Sequence, residues 1–389
     1  MFGVVIFVLF SVLGGAGWYL ARRTYLGFSA LFPKVRFWPF WVGIVTLVLL
    51  LVLGFARSFL PFPAKLKHIF GIIGSYCMGI ILYFLLFTLV ADVIFIVPRL
   101  LKLSFTAHRF FRGFVTVGVL TLTLITCVGG FINARRIDHV SYEVELDGGC
   151  DISDMNIVMI SDLHLGAVGS EGRLEKIVDE INSLKPDVVC IVGDFFDTDF
   201  SAVKDPDAAV ETLLKLQPTY GTYACFGNHD GGESNGQMVE FLERANICLL
   251  RESYTVIDER LVLIGRLDGS PIGDYSEGKR GKLSEFFVRN DAEMPVIVMD
   301  HNPARIDEYT TEADLILCGH THKGQVFPGG ILTDLMYTVD YGYYRKDTQS
   351  PHVIVSSGIG WWGPPMRVGT NSEIVSVRFS CGASIARQN

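Results

Sequence analysis

Four charge-free apolar runs fill the first third of the chain, and they restrict its fold more than any other feature of the sequence. Each run has about the 20 residues that an α-helix needs to cross the hydrocarbon core of a bilayer. A secretory signal peptide is the alternative for the first run, but basic residues follow that run instead of preceding it. Basic hinges between the runs disfavour the alternative of four soluble core helices. The sequence therefore predicts four transmembrane helices, in the runs Met1–Ala21, Phe37–Ala56, Ile69–Ala91 and Gly113–Ala134.

Charge divides the chain near residue 135. Residues 1–134 contain 11 Lys and Arg residues and a single acid, Asp92, whereas residues 135–389 contain 22 basic and 40 acidic residues. The net charge is +10 before this boundary and −18 after it. We expect an all-α membrane anchor over residues 1–134 and a separate acidic domain over residues 135–389. Asp92 ends the third run and is expected at the membrane interface or in the bundle interior, although intramembrane acids can be functional.

The basic residues between the runs predict an orientation. The first and third hinges carry eight Lys and Arg residues, against five in the second hinge and the Arg135-Arg136 tail. The positive-inside rule places the richer hinges in the cytoplasm. Four spans then leave the acidic domain on the extracytoplasmic side of a plasma (inner) membrane. The eight residues are Arg22, Arg23, Lys34, Arg36, Arg99, Lys102, Arg109 and Arg112.

The eight cysteines give no framework that can be read from spacing. Cys77 and Cys127 lie inside apolar runs, and the other six form no CxxC pair. Several of those six lie in strand-like runs, so we expect buried free thiols. The cysteines therefore do not fix the redox compartment.

The acidic domain begins with an alternating, edge-type strand over residues 141–150 and continues with buried strands and amphipathic helices. Apolar residues at helical spacing predict helices at Glu171–Leu184, Pro206–Leu216 and Gln237–Arg244. Short apolar runs predict strands at Ile157–Ile160, Asp187–Val192, Thr222–Phe226, Leu261–Ile264, Pro295–Met299, Leu315–Cys318, His352–Ser356 and Glu373–Phe379. Helices occur mainly in the first half of this order, which predicts an α/β domain with mixed sheets and helices outside.

Five of these strands end in Asp, Asn or His. Ligands of α/β sheets bind at the carboxyl ends of the strands, so these side chains are expected to form one polar centre. Glycines precede Asp194, Asn228 and His320, as expected where the backbone turns sharply or approaches another group closely. The residues are Asp162, His164, Asp194, Asp197, Asn228, His229, His301, His320 and His322.

Such a set of nitrogen and oxygen donors, with a carboxylate able to bridge and no thiolate, suits a two-metal site. The alternative is that each residue separately caps a helix, forms a turn or is satisfied in the core. Five motifs at strand ends make that alternative improbable when they are taken together.

The motifs DLH, GDxxD, GNHD, an isolated His and GHTH occur here in an order and spacing that resemble the calcineurin-like metallophosphoesterases. The resemblance covers roughly Asn156 to Phe379 and implies a four-layer α-β-β-α sandwich. It implies one metal ion on Asp162, His164, Asp194 and His322, and a second on Asp194, Asn228, His301 and His320. It further implies that His229 is the general acid or a donor to the transition state and that Asp197 orients it.

The implied reaction has a physical basis. Two cations roughly 3.5–4 Å apart lower the pKa of a bridging water and neutralise charge on a phosphate under in-line attack by the bridging hydroxide. A protonated His beside the leaving group removes the cost of expelling an alkoxide. The resemblance implies two divalent or trivalent ions, and Mn, Fe, Zn and Ni all suit nitrogen and oxygen donors.

The motifs DLHLG and Ser357-Gly358-Ile359-Gly360 are closer to a membrane-associated branch that resembles UDP-2,3-diacylglucosamine-type hydrolases. Two residues depart from that branch, because Lys323 replaces a usual Gly and Asp300 replaces a small or apolar residue. Lys323 is expected either to bind a substrate phosphate or to be solvated. Trp361 and Trp362 are expected either to pack or to form a wall facing a lipid or base.

The sequence thus predicts a membrane-anchored hydrolase of phosphodiester or pyrophosphate bonds, with a lipid or a nucleotide-linked lipid among its substrates. The first alternative is a non-catalytic module in which metals organise a phosphate-binding or sensor surface. The second is a transporter or channel regulated by the soluble domain, which the few charges inside the spans disfavour. No nucleic-acid partner is expected.

Overall fold

The structure is a computed structural model that describes residues 2–57, 60–100, 109–146, 150, 152, 154–288 and 294–381. Met1, Lys102 and residues 147–149, which belong to predicted segments, lie outside the described residues. The amino-terminal third forms four helices, α1 (Phe2–Leu31), α2 (Trp38–Ala56), α3 (Ala64–Leu100) and α4 (Arg109–Asn133). They arise because uninterrupted apolar runs satisfy their backbone groups best as helices.

Three of these helices are long and apolar enough to span a membrane, over Trp38–Ala56, Lys65–Val93 and Phe110–Asn133. The first predicted run falls on helix α1, and its role as a fourth span stays a prediction. Near the end of the third run, Asp92 forms an ion pair with Arg23 and accepts a 2.7 Å hydrogen bond from the Tyr19 hydroxyl. Among the described side chains, Asp92 therefore has partners inside the helical unit, as intramembrane charges require.

The chain divides into two compact units. The first comprises Met1–Ile132 with Gly363–Met366, and the second comprises Asn133–Trp362 with Arg367–Asn389. The boundary near residue 132 is close to the change in composition at residues 134 and 135. A four-residue loop from the carboxyl-terminal part groups with the helices, since Gly363 and Gly79 lie against Met78 and Met366, respectively.

The second unit contains twelve described strands and four described α-helices. The strands are β1 (Ile137–Leu146), β2 (Met155–Ile160), β3 (Val188–Val192), β4 (Thr222–Cys225), β5 (Ile247–Leu249), β6 (Ser253–Ile257), β7 (Leu261–Gly265), β8 (Val296–Met299), β9 (Leu315–Cys318), β10 (Gly342–Tyr344), β11 (His352–Val355) and β12 (Ser372–Cys381). The helices are α5 (Leu174–Ser183), α6 (Pro206–Leu213), α7 (Asn235–Arg244) and α8 (Gly329–Met336).

The strands form two mixed six-stranded sheets. The first has the order β1-β12-β2-β3-β4-β5, and the second has the order β10-β11-β9-β8-β7-β6. Strands β2 to β5 run parallel, as do β7, β8, β9 and β11. The parallel strands read as continuous apolar runs because both of their faces are buried.

Side-chain alternation divides the core into layers. Ile157 and Met159 of β2 pack with Ile297 and Leu317 of the second sheet, so the two sheets lie face to face. Val158 and Ile160 point the other way and pack under α5, α6 and α7. The outer face of the second sheet is covered by Phe287 and by the 3₁₀ turn Pro303–Glu308. The fold is therefore a sandwich of two mixed sheets with helices, as predicted, and α5, α6 and α7 lie outside the first sheet.

The prediction that the cysteines of the acidic domain are free thiols is wrong for two of them. Cys150 and Cys381 form a disulfide between residues 231 positions apart. The other six cysteines are free, and all but Cys248 are buried. Spacing could not reveal the pair because the two residues become neighbours only after β1 pairs with the carboxyl-terminal strand β12.

Candidate metal centre

The predicted residues meet because the loops after five strands lie at one edge of the sandwich. Strands β2, β3 and β4 bring three loops from the first sheet, and β8 and β9 bring two from the second. Backbone hydrogen bonds join neighbouring loops, as Asp162 N donates to Gly193 O and Gly319 N donates to His301 O, at 3.0 and 2.9 Å. The polar side chains therefore stand on a connected backbone frame.

Five of the predicted ligand residues have left-handed backbone conformations. Their φ angles are +47° to +72°, at Asp162, His164, Asp194, His320 and His322. For residues with a Cβ this region costs about 1–3 kcal/mol each, and it persists only where the surroundings impose it. Such clustered strain is typical of functional sites.

The glycines that precede Asp194 and His320 allow the backbone of these turns to bend and pack closely. Gly193 has a φ of +71°, which a glycine adopts without strain. Gly319 is required for space, because a Cβ there would lie 2.4 Å from Oδ2 of Asp162. The sequence expectation of sharp turns and close approach at these positions is confirmed by the geometry.

Asp162, His164 and His322 form one group of donor atoms. Nε2 of His164 lies 3.2 Å from Nε2 of His322 and 3.8 Å from Oδ2 of Asp194. Nε2 of His322 lies 3.4 Å from Oδ1 of Asp162. All three side chains are buried, and their donor atoms lie within 4.8 Å of one another.

Asp194, His301 and His320 form a second group with the same spread. Oδ2 of Asp194 lies 3.2 Å from Nε2 of His301, and Oδ1 of Asn228 lies 2.8 Å from Nδ1 of His320. Oδ2 of Asp194 also faces His164 of the first group, so this carboxylate lies between the two groups. Asn228 brings a neutral oxygen, which limits the negative charge of the set.

His229 stands at the side of both groups. Its backbone N–H donates to Oδ1 of Asp194 at 2.8 Å, and its ring centroid lies 5.0 Å from that of His164. Nδ1 of His229 is 2.6 Å from the hydroxyl of Thr198. Asp197, expected to orient His229, has Oδ1 at 3.7 Å from Nδ1 of His164. Thr198 was missed because a hydroxyl next to a GDxxD motif carries no distinctive pattern.

The charges of the centre shift the pKa values of its residues strongly. Burial alone would raise the pKa of Asp194, but the facing charge of His301 holds it far below its usual range. Burial opposes protonation of His301, yet Asp194 raises the pKa of that imidazole well above its usual value. Burial lowers the pKa of His322, and the charge of Arg367 lowers it further.

Burial also lowers the pKa values of His320 and His229, although the charge of Asp194 opposes the effect in both. The ionised carboxylate of Asp194 and the neutral imidazoles of His320 and His322 present free lone pairs, whereas His301, which faces Asp194, favours its protonated form. Such a set binds a cation in place of protons.

Several supporting residues were not identified from the sequence. The buried carboxylate of Asp230 accepts hydrogen bonds from Gly227 N and Phe196 N, at 2.8 and 2.9 Å, and so joins two of the turns. The buried guanidinium of Arg367 donates to the carbonyls of Gly358 and Gly360 and lies 3.3 Å from Nδ1 of His322. Asp230 is the last residue of the GNHD motif, but the motif does not reveal its bond to Phe196 N. Arg367 could not be found from spacing, because it acts through contacts with a distant loop.

The two departures in sequence have structural explanations. Lys323 has a φ of +50°, a conformation that favours Gly, and its Nζ lies 3.9 Å above the ring of Tyr341. Asp300 forms a buried bidentate ion pair with Arg280, at 3.0 and 2.7 Å, and accepts a hydrogen bond from the Tyr309 hydroxyl. Asp300 therefore acts inside the fold and not toward the centre.

The two tryptophans differ in role. Trp361 is buried, donates to Val168 O and lies under the guanidinium of Arg173, so it packs. Trp362 is 47% exposed, and its ring lies 6.2 Å from that of His229. Only Trp362 is placed to form a wall of the site.

The donor set fits a pair of metal ions. In the described part of the chain, Nδ1 of His164 and Nε2 of His301 are buried without a hydrogen-bond partner. Buried polar atoms are rarely left in that state, and a bound cation would satisfy them. Nitrogen and oxygen donors without thiolates suit Mn, Fe, Zn or Ni.

Comparisons with known proteins agree with this chemistry. Residues 155–324 match the family of calcineurin-like phosphoesterases. A Danio rerio protein named as a transmembrane protein with a metallophosphoesterase domain is 29% identical, over 87% of this chain and 80% of that one.

Two bacterial relatives are named uncharacterized metallophosphoesterases. The Campylobacter jejuni protein is 30% identical, with 77% of this chain and 78% of that one covered. The Aquifex aeolicus protein is 32% identical, with 62% and 90% covered. These names specify no substrate, so the resemblance to UDP-2,3-diacylglucosamine-type hydrolases stays a prediction. The chain belongs to the calcineurin-like metallophosphoesterases and carries a metal-dependent phosphoesterase domain.

Proposed function

We propose that this protein is a membrane-anchored, dinuclear-metal phosphohydrolase that cleaves phosphodiester or pyrophosphate bonds, including those of a lipid or a nucleotide-linked lipid. The observation that carries the proposal is the position of Asp194 between two groups of donor atoms, with His229 beside it. A single carboxylate shared by two sets of ligands is what a bridged metal pair requires.

The proposed ligands follow from these groups. Asp162, His164 and His322 would hold one ion, and Asn228, His301 and His320 would hold the other, with Asp194 shared. When bound, such a pair activates water for attack and neutralises charge on the phosphate oxygens.

The remaining residues act on the leaving group and the substrate. His229 donates a proton to the departing oxygen, with Thr198 fixing the ring through Nδ1. Asp197, whose carboxylate lies within 4.8 Å of donor atoms of His164 and His229, keeps the local potential negative and favours the protonated ring. Trp362 offers an apolar surface beside His229 for the part of the substrate that leaves.

The catalytic domain is proposed to lie on the extracytoplasmic side. Two observations support this orientation, namely the excess of basic residues in the first and third hinges and the Cys150–Cys381 disulfide. Disulfides persist mainly in oxidising compartments outside the cytoplasm.

The test of the reaction is hydrolysis of bis-p-nitrophenyl phosphate by the purified full chain supplied with Mn²⁺. We expect Asp194→Asn to lower kcat at least about 100-fold and to reduce the bound metal, because the shared ligand loses its charge. The matched control is Asp154→Asn, since Asp154 is an exposed carboxylate paired with Arg378. A chelator should abolish the activity, and Mn²⁺ should restore it.

Wild-type turnover by Asp194→Asn would refute the proposed centre. Metal-loaded protein without turnover on any ester would instead favour the non-catalytic phosphate-binding module. A panel of lipid pyrophosphates, nucleotide diesters and phosphate monoesters, with metal analysis of the same sample, then identifies the substrate class.

A further inference from the structure

Helix α8 presents an apolar face to solvent. Ile331, Leu332, Leu335 and Met336 are 54%, 61%, 77% and 74% exposed, respectively, and no residue of the helix is buried. The spacing i, i+1, i+4, i+5 places the four side chains on one side of the helix. This arrangement is the reverse of an ordinary surface helix, which turns its apolar face to the core.

The polar side of α8 is attached to the domain. Thr333 donates to Oδ2 of Asp340 at 2.7 Å, and the backbone carbonyl of Asp340 accepts from the Thr321 hydroxyl at 2.6 Å. The only charged residue of the helix, Asp334, lies off the apolar face by helical geometry. The apolar face is therefore held outward by specific contacts on the opposite side.

The helix is also attached to the turn that carries two predicted ligands. Gly324 lies two positions after His322, and its backbone contacts Gly329 and Gly330 so closely that a Cβ would lie 2.0 Å from Gly330 N. Phe327, which is 53% exposed, lies in the sequence between that turn and the helix and adds a fifth exposed apolar side chain. We call Phe327, Ile331, Leu332, Leu335 and Met336 the α8 patch.

We propose that the α8 patch inserts into the interfacial layer of a lipid bilayer. Contiguous exposed apolar surface on a soluble domain marks an interaction site. The partner must be apolar, since the patch itself offers aliphatic and aromatic side chains and no charge.

A bilayer is the occupant that the rest of the chain favours. Three helices of the same chain are long and apolar enough to span a membrane, so the domain is tethered to lipid at high effective concentration. Interfacial helices bind through just such a stripe of Leu, Ile and Phe side chains. A second copy is a weaker candidate, because stable protein interfaces bury about 800 Å² per partner, more than one eight-residue helix offers.

This surface would give the metal centre a fixed relation to the membrane. The turn that bears His320 and His322 would lie next to the lipid headgroups. The role of α8 goes beyond the proposed hydrolysis and does not depend on it.

The test uses the full chain reconstituted in phosphatidylcholine vesicles. An NBD fluorophore is attached at Leu335→Cys in a Cys248→Ser background, because Cys248 is the free cysteine that is exposed among the described residues. The control label is at Lys215→Cys, an exposed position after α6. We expect a blue-shifted emission and quenching by doxyl-labelled lipids at position 335, and neither effect at position 215.

A second variant separates insertion from accidental proximity. Adding Leu332→Glu and Met336→Glu should abolish the shift and the quenching at position 335, whereas Asp334→Asn should leave both unchanged. Aqueous emission without quenching at position 335 would overturn the proposal. A blue shift that rises with protein density but is insensitive to doxyl lipids would instead identify a second copy and also overturn it.

These readouts do not involve catalysis. Failure of the proposed function would appear as absent turnover with intact quenching, and failure of the α8 proposal would appear as absent quenching with intact turnover.

Discussion

The centre depends on residues whose neighbours are as specific as the ligands themselves. His229 is a common residue in a turn, but here its ring nitrogen meets the hydroxyl of Thr198 at 2.6 Å. A single hydroxyl thereby fixes the ring orientation and the tautomer on which proton donation depends.

We expect Thr198→Val to lower kcat for bis-p-nitrophenyl phosphate about tenfold, as loss of an orienting partner usually does. Thr198→Ser keeps the hydroxyl and should retain wild-type kcat. Metal content should be equal in both variants, because Thr198 is outside the donor groups. Equal kcat for the Val and Ser variants would show that His229 needs no such partner.

Asp300 is a residue whose position beside a predicted metal ligand does not indicate its role. It stands next to His301, but its carboxylate is 2% exposed and belongs to the ion pair with Arg280. Removing one member of a buried pair leaves an uncompensated charge.

We therefore expect Arg280→Met to lower the free energy of unfolding by about 3–5 kcal/mol, measured by urea denaturation of the full chain in detergent. The double variant Arg280→Met with Asp300→Leu should recover most of that loss, since no charge stays buried. A double variant as unstable as the single one would assign the effect to packing alone.

At the scale of the element, the carboxyl-terminal strand β12 holds the first sheet together. It lies between β1 and β2, parallel to the former and antiparallel to the latter. The disulfide joins Cys381, the last residue of β12, to Cys150 beyond β1. A covalent link across so long a loop restricts the unfolded chain strongly.

We expect Cys150→Ser to lower the free energy of unfolding by about 2–4 kcal/mol under oxidising conditions. Reductant should destabilise the wild type equally and should leave Cys150→Ser unaffected. Cys248→Ser is the matched control, because that thiol is free. Titration of two further thiols in the unreduced wild type would contradict the pairing.

Helix α8 shows why some elements escape prediction. It has only eight residues, begins with Gly329-Gly330 and exposes its apolar face. Each of these properties argues against a helix when the sequence is considered without its tertiary contacts. The contact of Gly324 with Gly330, which fixes the helix, joins residues that local pattern analysis treats as a turn.

At the scale of the whole molecule, a basic helical unit is joined to an acidic two-sheet unit. The side of the membrane on which the acidic unit lies is therefore set by the topology of the membrane-spanning helices. The basic hinges and the disulfide both favour an extracytoplasmic catalytic domain.

We expect a carboxyl-terminal alkaline phosphatase fusion, which is active only after export, to be active in cells. A green fluorescent protein fusion at the same position should be dark. In unreduced cell extracts, Cys150 and Cys381 should resist alkylation. A fluorescent fusion in which Cys150 and Cys381 react with the alkylating agent would place the domain in the cytoplasm and refute the proposed orientation.

The sequence by itself determined the apolar helices, the buried strands and the residues at the strand ends, because hydrophobic periodicity and glycine-flanked polar motifs are local properties. It also predicted the two-sheet sandwich through a family resemblance. Tertiary structure alone decided that Cys150 meets Cys381, that Thr198 contacts His229, that Asp300 binds Arg280, and that α8 turns its apolar face outward. The first three are contacts between residues at least 20 positions apart, and the last depends on how α8 is attached to the loops beside it. Such contacts leave no periodic trace in sequence.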